Sequence, residues 1–167
     1  MELSLENEIL ALLPRLRRYS RSLTRSDSDG EDLLQDCVEK VLVHRREWRG
    51  GSFKSWVYKI MTNLHLNARR SLARRPSAAL DEAEGLAATA APDDPMQRRR
   101  LMQALDLLPA DARAVLMLVV VEGYAYQEAA EILQVPVGTV MSRLSRARQA
   151  LRQRLREDNV LPIRRPR

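Results

Sequence analysis

The pattern over residues 126–155 leaves this chain little freedom in what it can become. Val140, Leu144, Ala147, Leu151 and Leu155 recur at steps of four, three, four and four. That spacing is one stripe of an α-helix. At a hundred degrees per residue, Thr139, Ser142, Arg146 and Gln149 fall on the opposite side, with Arg143 and Arg148 on the flanks. The helix has one dry face and one face armed with hydrogen-bond donors. Before it stand a shorter amphipathic run, "YQEAAEIL", and the break "QVPVG". Pro136 suits a first helical turn, and Gly138 leaves the backbone bare beside whatever the helix end approaches. A short helix, a tight turn and a longer helix make a helix-turn-helix signature.

The rest of the chain carries the same period. "ILALLPRLRRYSRSL" reads as a helix that Pro14 kinks or restarts. "SDSDGEDLLQDCVEKVLVHRREW" offers N-caps at 26–29 and a stripe of Leu34, Val38, Val41 and Leu42. Gly50-Gly51 breaks the chain, and Ser52 can cap "FKSWVYKIMTNLHLNARRSLARR", where Phe53, Trp56, Val57, Ile60 and Leu64 share a face. "PMQRRRLMQALDLL" and "ADARAVLMLVVVEG" lead into the helix-turn-helix. No run alternates with a strand's period of two. The fold class expected is all-α: two small helical domains joined by a flexible linker, the second a helix-turn-helix four-helix domain.

Charge marks the boundaries. Residues 1–76 hold 15 basic and 10 acidic side chains, 77–97 hold 0 and 5, and 98–167 hold 13 and 7. The acidic middle is Ala-rich and ends in prolines, the composition of a linker. The domains expected are therefore 1–76 and 98–167, with a linker at 77–97. A net charge of +6 favours a polyanionic partner without choosing one. The single cysteine, Cys37, excludes an internal disulfide and any Cys-based zinc site. The first residues carry acids rather than a signal peptide, and the apolar block 114–121 is too short to span a bilayer. The expectation is a cytoplasmic protein without membrane insertion.

A helix-turn-helix places its second helix in the major groove, its N-terminal residues at the base edges. Thr139, Ser142, Arg143 and Arg146 hold those positions, Arg being suited to guanine and Ser or Thr to base or phosphate. Arg148, Arg152 and Arg156 suit backbone phosphates, which position without specifying. The bland alternative is a solvated Arg-rich helix or a coiled-coil segment.

The stretch "LPADARAVLMLVVVEGYAYQEAAEILQVPVGTVMSRLSRARQALRQRL" resembles the promoter-reading region of extracytoplasmic-function (ECF) sigma factors. "GEDLLQDCVEKVLVHRREWRGGSFKSWVYKIMTNLHLNARR" resembles their N-terminal region. Two separate motifs in the family's order cover roughly residues 8 to 156. The resemblance implies an initiation subunit of bacterial RNA polymerase, without cofactor, metal or catalysis of its own. The helix-turn-helix would read the minus-35 element through Thr139, Ser142, Arg143, Arg146 and Arg148. "DLLQD" would place Asp32, Gln35, Asp36 and Glu39 against core polymerase. Ser52, Phe53 and Lys54 would capture a flipped minus-10 base, and Asn63, Asn67 and Arg70 would follow the single strand. Phe53 and Trp56 also fit the apolar stripe, which makes Trp56 a core residue and leaves Phe53 open between core and DNA. An anti-sigma factor is the implied regulator.

The sequence departs from the family's pattern at four points. Met141 stands where Lys or Arg is usual, Ala125 where Ser or Thr caps a helix, Gln134 where the break opens with Gly, and Asn67 where Asp is common. Two rival readings accompany this one. A stand-alone helix-turn-helix regulator would use residues 109–156 and leave "DLLQD" idle. A sigma mimic would titrate an anti-sigma factor. An enzyme has less to work with: His44 and His65 sit on different helices, and Cys37 adjoins an apolar stripe.

Overall fold

The computed structural model describes residues 2–74 and 94–158, all of whose regular structure is helical. Seven α-helices follow in order: α1 (Glu2–Thr24), α2 (Asp27–His44), α3 (Phe53–Ala73), α4 (Pro95–Asp106), α5 (Ala110–Leu116), α6 (Tyr126–Leu133) and α7 (Val137–Asp158). A 3₁₀ turn (Arg45–Glu47) follows α2, and a π-helical turn (Met117–Val121) extends α5.

In the first module, α1 runs through Pro14 as one helix and buries Ile9, Leu16, Tyr19 and Leu23. Ser26 starts α2, its Oγ accepting from the Asp29 amide at 3.3 Å. A Cβ on Gly30 would lie 2.7 Å from Arg21 Cγ, so α1 and α2 approach closely at that glycine. Ser52 caps α3 by accepting from the Ser55 amide at 3.2 Å. The cap follows Gly50 and Gly51, both at positive φ, where glycine avoids the steric cost of a Cβ. Between α1 and α3, Thr62 Oγ1 donates to the Tyr58 carbonyl at 2.7 Å. Its only proton is then used, so Tyr19 Oη donates to Thr62 Oγ1 at 2.9 Å. Every polar atom of that buried pair has a partner.

In the second module, Asp94 Oδ1 accepts from the Met96 amide at 2.9 Å and Pro95 opens α4. Residues 95–97, assigned by composition to the linker, therefore belong to a helix. An Asp cap followed by Pro is a strong start signal that the acidic, Ala-rich neighbourhood conceals. Residues 77–93 of that linker lie outside the described residues, as do 75–76 and, in the C-terminal tail, 159–167. Val140, Leu144 and Ala147 of α7 pack with Val115, Leu118, Ile132 and Leu133, all buried.

The two modules touch. α1 packs against α5 and α3 against α6, so buried apolar residues run from one module into the other.

Candidate nucleic-acid and polymerase interfaces

On α7 the apolar stripe faces inward, leaving its other side to solvent. Ser142, Arg146 and Arg148 are exposed, while Thr139 and Arg143 are half-buried. Ser142 Oγ donates to the Thr139 carbonyl at 3.1 Å, and Arg146 Nε donates to the Ser142 carbonyl at 3.4 Å. These bonds run along the helix and hold the donors over its N-terminal turns. Met141 is 52% exposed on the same surface, where a cation would face solvent or phosphate.

The turn before α7 explains one departure. Gln134 sits at φ 54°, in the left-handed region. Glycine is favoured there because a Cβ clashes with the backbone. Ala125, at the start of α6, supplies no side-chain cap. Only the reciprocal bond survives, from the Ala125 amide to Glu128 Oε2 at 2.9 Å.

α2 carries a different surface. Asp32, Gln35, Asp36 and Glu39 are all exposed, while Leu33, Leu34, Cys37 and Val41 are buried beneath them. Cys37 is fully buried, and burial pushes its thiol up to about 12, so it is an inert core group.

The residues of α3 divide. Ser52 is exposed at its start. Phe53 is only 6% exposed, with ring centroids 5.5 Å from Trp48 and 5.8 Å from Trp56. The structure puts Phe53 in the core of its module, not on a surface where a base can stack. Trp56 packs partly buried against that core, as its place in the stripe predicts. Lys54 is turned toward the second module. Its Nζ lies 3.7 Å from Glu122 Oε2 and 4.8 Å from the Tyr124 ring centroid.

Asn63, Asn67 and Arg70 line a crevice of about 510 Å³ between the modules, and Arg143 of α7 lines it too. His65 lines the same crevice and is 9% exposed, its Nε2 without a partner. Burial, then the nearby Arg69 and Arg113 guanidinium groups, push its pKa down to about 4. His65 is therefore neutral at physiological pH.

Two residues at this junction carry no sequence signal. Arg113 of α5 is 3% exposed and donates through Nε to the Ser22 carbonyl at 2.8 Å and through Nη2 to the Leu23 carbonyl at 3.4 Å. It also donates to Leu108 in its own module. Burial lowers its pKa to about 10, which still leaves it charged in neutral water. Glu122 follows the π-helical turn, where its amide donates to the Met117 carbonyl at 2.9 Å. Its side chain is 1% exposed and meets Arg18 Nη2 of α1 at 2.8 Å. Among the described residues no group of three His, Cys, Asp or Glu could hold a metal, and no helix is long and apolar enough to cross a membrane.

Comparison with known proteins draws these surfaces together. Residues 98–151 match the family model "Sigma-70, region 4", and residues 9–62 match "Sigma2 domain of PhyR". The chain is 34% identical to the ECF RNA polymerase sigma factor EcfG of Rhodopseudomonas palustris over 154 residues, covering 89% of this chain and 83% of that one. The chain belongs to the ECF sigma factor family. This ECF sigma factor also resembles a solved sigma factor, RpoE of Bartonella quintana in complex with the anti-sigma factor NepR. That likeness has a TM-score of 0.78 at 28% identity and covers 93% of this chain and 99% of that one. It shares its fold, at TM-score 0.59 and 23% identity, with the anti-anti-sigma factor PhyR of Bartonella quintana complexed with NepR; 89% of this chain and 49% of that one are covered. Sigma factors are initiation subunits that bind core RNA polymerase and promoter DNA, and this chain is one of them.

Proposed function

We propose that this ECF sigma factor divides its work between three faces. Asp32, Gln35, Asp36 and Glu39 on α2 meet core polymerase, an acidic surface on a basic protein being complementary to a basic partner. Thr139, Ser142, Arg143, Arg146 and Arg148 on α7 read the minus-35 duplex. Ser52, Lys54, Asn63, Asn67 and Arg70 engage the opened minus-10 strand, with Phe53 supporting that surface from within the core.

One observation carries this reading: the family's two motifs fold into separate faces whose side chains differ in sign and exposure in the manner their partners require. The domain assignment, with its linker cut back by the start of α4, follows as 1–76 for polymerase and minus-10, 77–94 as linker, and 95–167 for minus-35. The chemistry of RNA synthesis belongs to the polymerase, so this chain acts in the cytoplasm, without cofactor or catalysis of its own. An anti-sigma factor controls it, a reading supported by the likeness to a sigma factor solved with one.

A second reading draws on the match to the PhyR Sigma2 domain: a sigma-like chain that only takes up an anti-sigma factor. Gel filtration of the purified chain with bacterial core polymerase separates the two. A one-to-one complex, lost on Asp36→Arg, is the expected result. No complex at all would overturn the sigma reading and favour the mimic.

A further inference from the structure

The junction between the modules sets charges buried on the second module, Glu122 and Arg113, against partly exposed cations and helix-end carbonyls of the first. Glu122 approaches the first module with its carboxylate almost wholly covered. Arg18 reaches one of its oxygens at 2.8 Å, and Lys54 lies 3.7 Å from the other. The Lys54 ammonium also sits over the Tyr124 ring, which meets Tyr58 edge-on at 5.7 Å. Arg113 fills the end of α1, donating to the Ser22 and Leu23 carbonyls. Helix C-terminal carbonyls lack intrahelical partners and carry partial negative charge, so a guanidinium suits them well. At the crevice's edge Asp111 lies 3.8 Å from both Arg69 of α3 and Arg143 of α7.

These contacts engage part of the groups assigned to DNA. Lys54 is held by Glu122 and Arg143 by Asp111, while Asn63, Asn67 and Arg70 face the same crevice as Arg143. A promoter cannot be met in that arrangement. Elements centred about 25 base pairs apart are separated by roughly 85 Å of duplex at about 3.4 Å per pair. Here side chains meant for the two elements line one cavity of about 510 Å³.

We propose that Glu122, gripped by Arg18 and Lys54, is an intramolecular clasp that holds the chain closed and keeps its own DNA-reading faces from DNA. Opening frees Lys54 from Glu122 and uncovers the crevice that Asn63, Asn67 and Arg143 line, so engagement of DNA there and separation of the modules are one equilibrium. Removing a basic partner leaves the Glu122 carboxylate buried and under-paired in the closed form, so its loss shifts the chain toward the open one. The inhibitory consequence rests on the sigma reading above; the closure itself does not.

The test combines two measurements on the full chain and on Glu122→Gln, Arg18→Ala and Arg18→Lys. Small-angle X-ray scattering reads closure. A labelled random duplex of about 30 base pairs at low salt reads exposure of the basic faces, because such binding is sequence-independent. Wild type and Arg18→Lys should be compact. Glu122→Gln and Arg18→Ala should expand, with a radius of gyration larger by on the order of 5 Å, and should bind the duplex about tenfold more tightly. Circular dichroism shows whether Glu122→Gln still folds; if it does not, Arg18→Ala decides, since Arg18 is 36% exposed and no part of either core. A wild type already expanded, or variants as compact as wild type, would overturn the clasp. Expansion without tighter duplex binding would overturn its inhibitory role. Expansion with tighter duplex binding, in a chain that forms no complex with core polymerase, would support the clasp and strike the sigma reading instead.

Discussion

The outer faces of α2 and α3 differ in one respect that matters for how such a chain works. On α2 the four side chains proposed to meet polymerase are exposed. On α3 the side chains proposed to meet DNA share their surroundings with α5, α6 and α7, and Lys54 is already occupied by Glu122. On the clasp proposal, one surface is available at once and the other must be released. The contrast implies an order in which polymerase is met through α2 first, and DNA is met after the modules part.

The sharpest way to break that comparison is to mutate each surface alone. Arg146→Ala should lower promoter-dependent transcription by tenfold or more and leave polymerase affinity unchanged, while Asp36→Arg should abolish the polymerase complex and spare duplex binding. A base contact is worth about 1–3 kcal/mol, enough for such a separation. If both variants lose the same function, the faces are not distinct.

Acid should act on the crevice. His65 has an ordinary value near 6.5 and is held at about 4 when folded, by burial first and then by Arg69 and Arg113. The unfolded chain takes up a proton near pH 6.5 and the folded chain does not. Stability is therefore fully present above pH 6.5 and declines as pH falls toward 4, by up to roughly 3 kcal/mol from this residue. Urea midpoints between pH 7 and 4.5 should show the decline, and His65→Gln should flatten it. An unchanged slope in His65→Gln would show that other groups set the acid response.

Smaller effects belong to the second module alone. Ala125→Ser restores a missing cap and should stabilise by about 1 kcal/mol. Gln134→Gly relieves the left-handed backbone at φ 54° and should add about 0.5–1 kcal/mol. Denaturant midpoints of the two variants check both values. The least change is expected from Arg152→Ala, which should weaken duplex binding alike on all sequences and reduce the salt slope by about 1.

The helix-turn-helix and the acidic face of α2 were legible because each is a local pattern: a stripe at 3.6 residues and polar groups opposite it. The position of Gln134 was legible as an anomaly, and its positive φ supplies the reason. Phe53 was ambiguous because a helix start and an apolar stripe coincide there, and only the Trp48 and Trp56 rings around it decide. Arg113 and Glu122 were invisible. Nothing in the spacing of "ADARAVLMLVVVEG" singles them out, and their partners, the Ser22 carbonyl and the Arg18 guanidinium, lie 91 and 104 residues away. No period within a helix encodes a contact of that range. The π-helical turn that precedes Glu122 likewise has no signature in a run of valines.

The central claim is that this chain gives core polymerase its promoter address. The most direct test is run-off transcription with the purified chain and bacterial core polymerase on a library of promoter fragments from its host, with a control lacking the chain. The account predicts specific transcripts from a narrow subset whose members share two elements at fixed spacing. A chain that binds core polymerase and yields no transcript beyond the control on any fragment would contradict it.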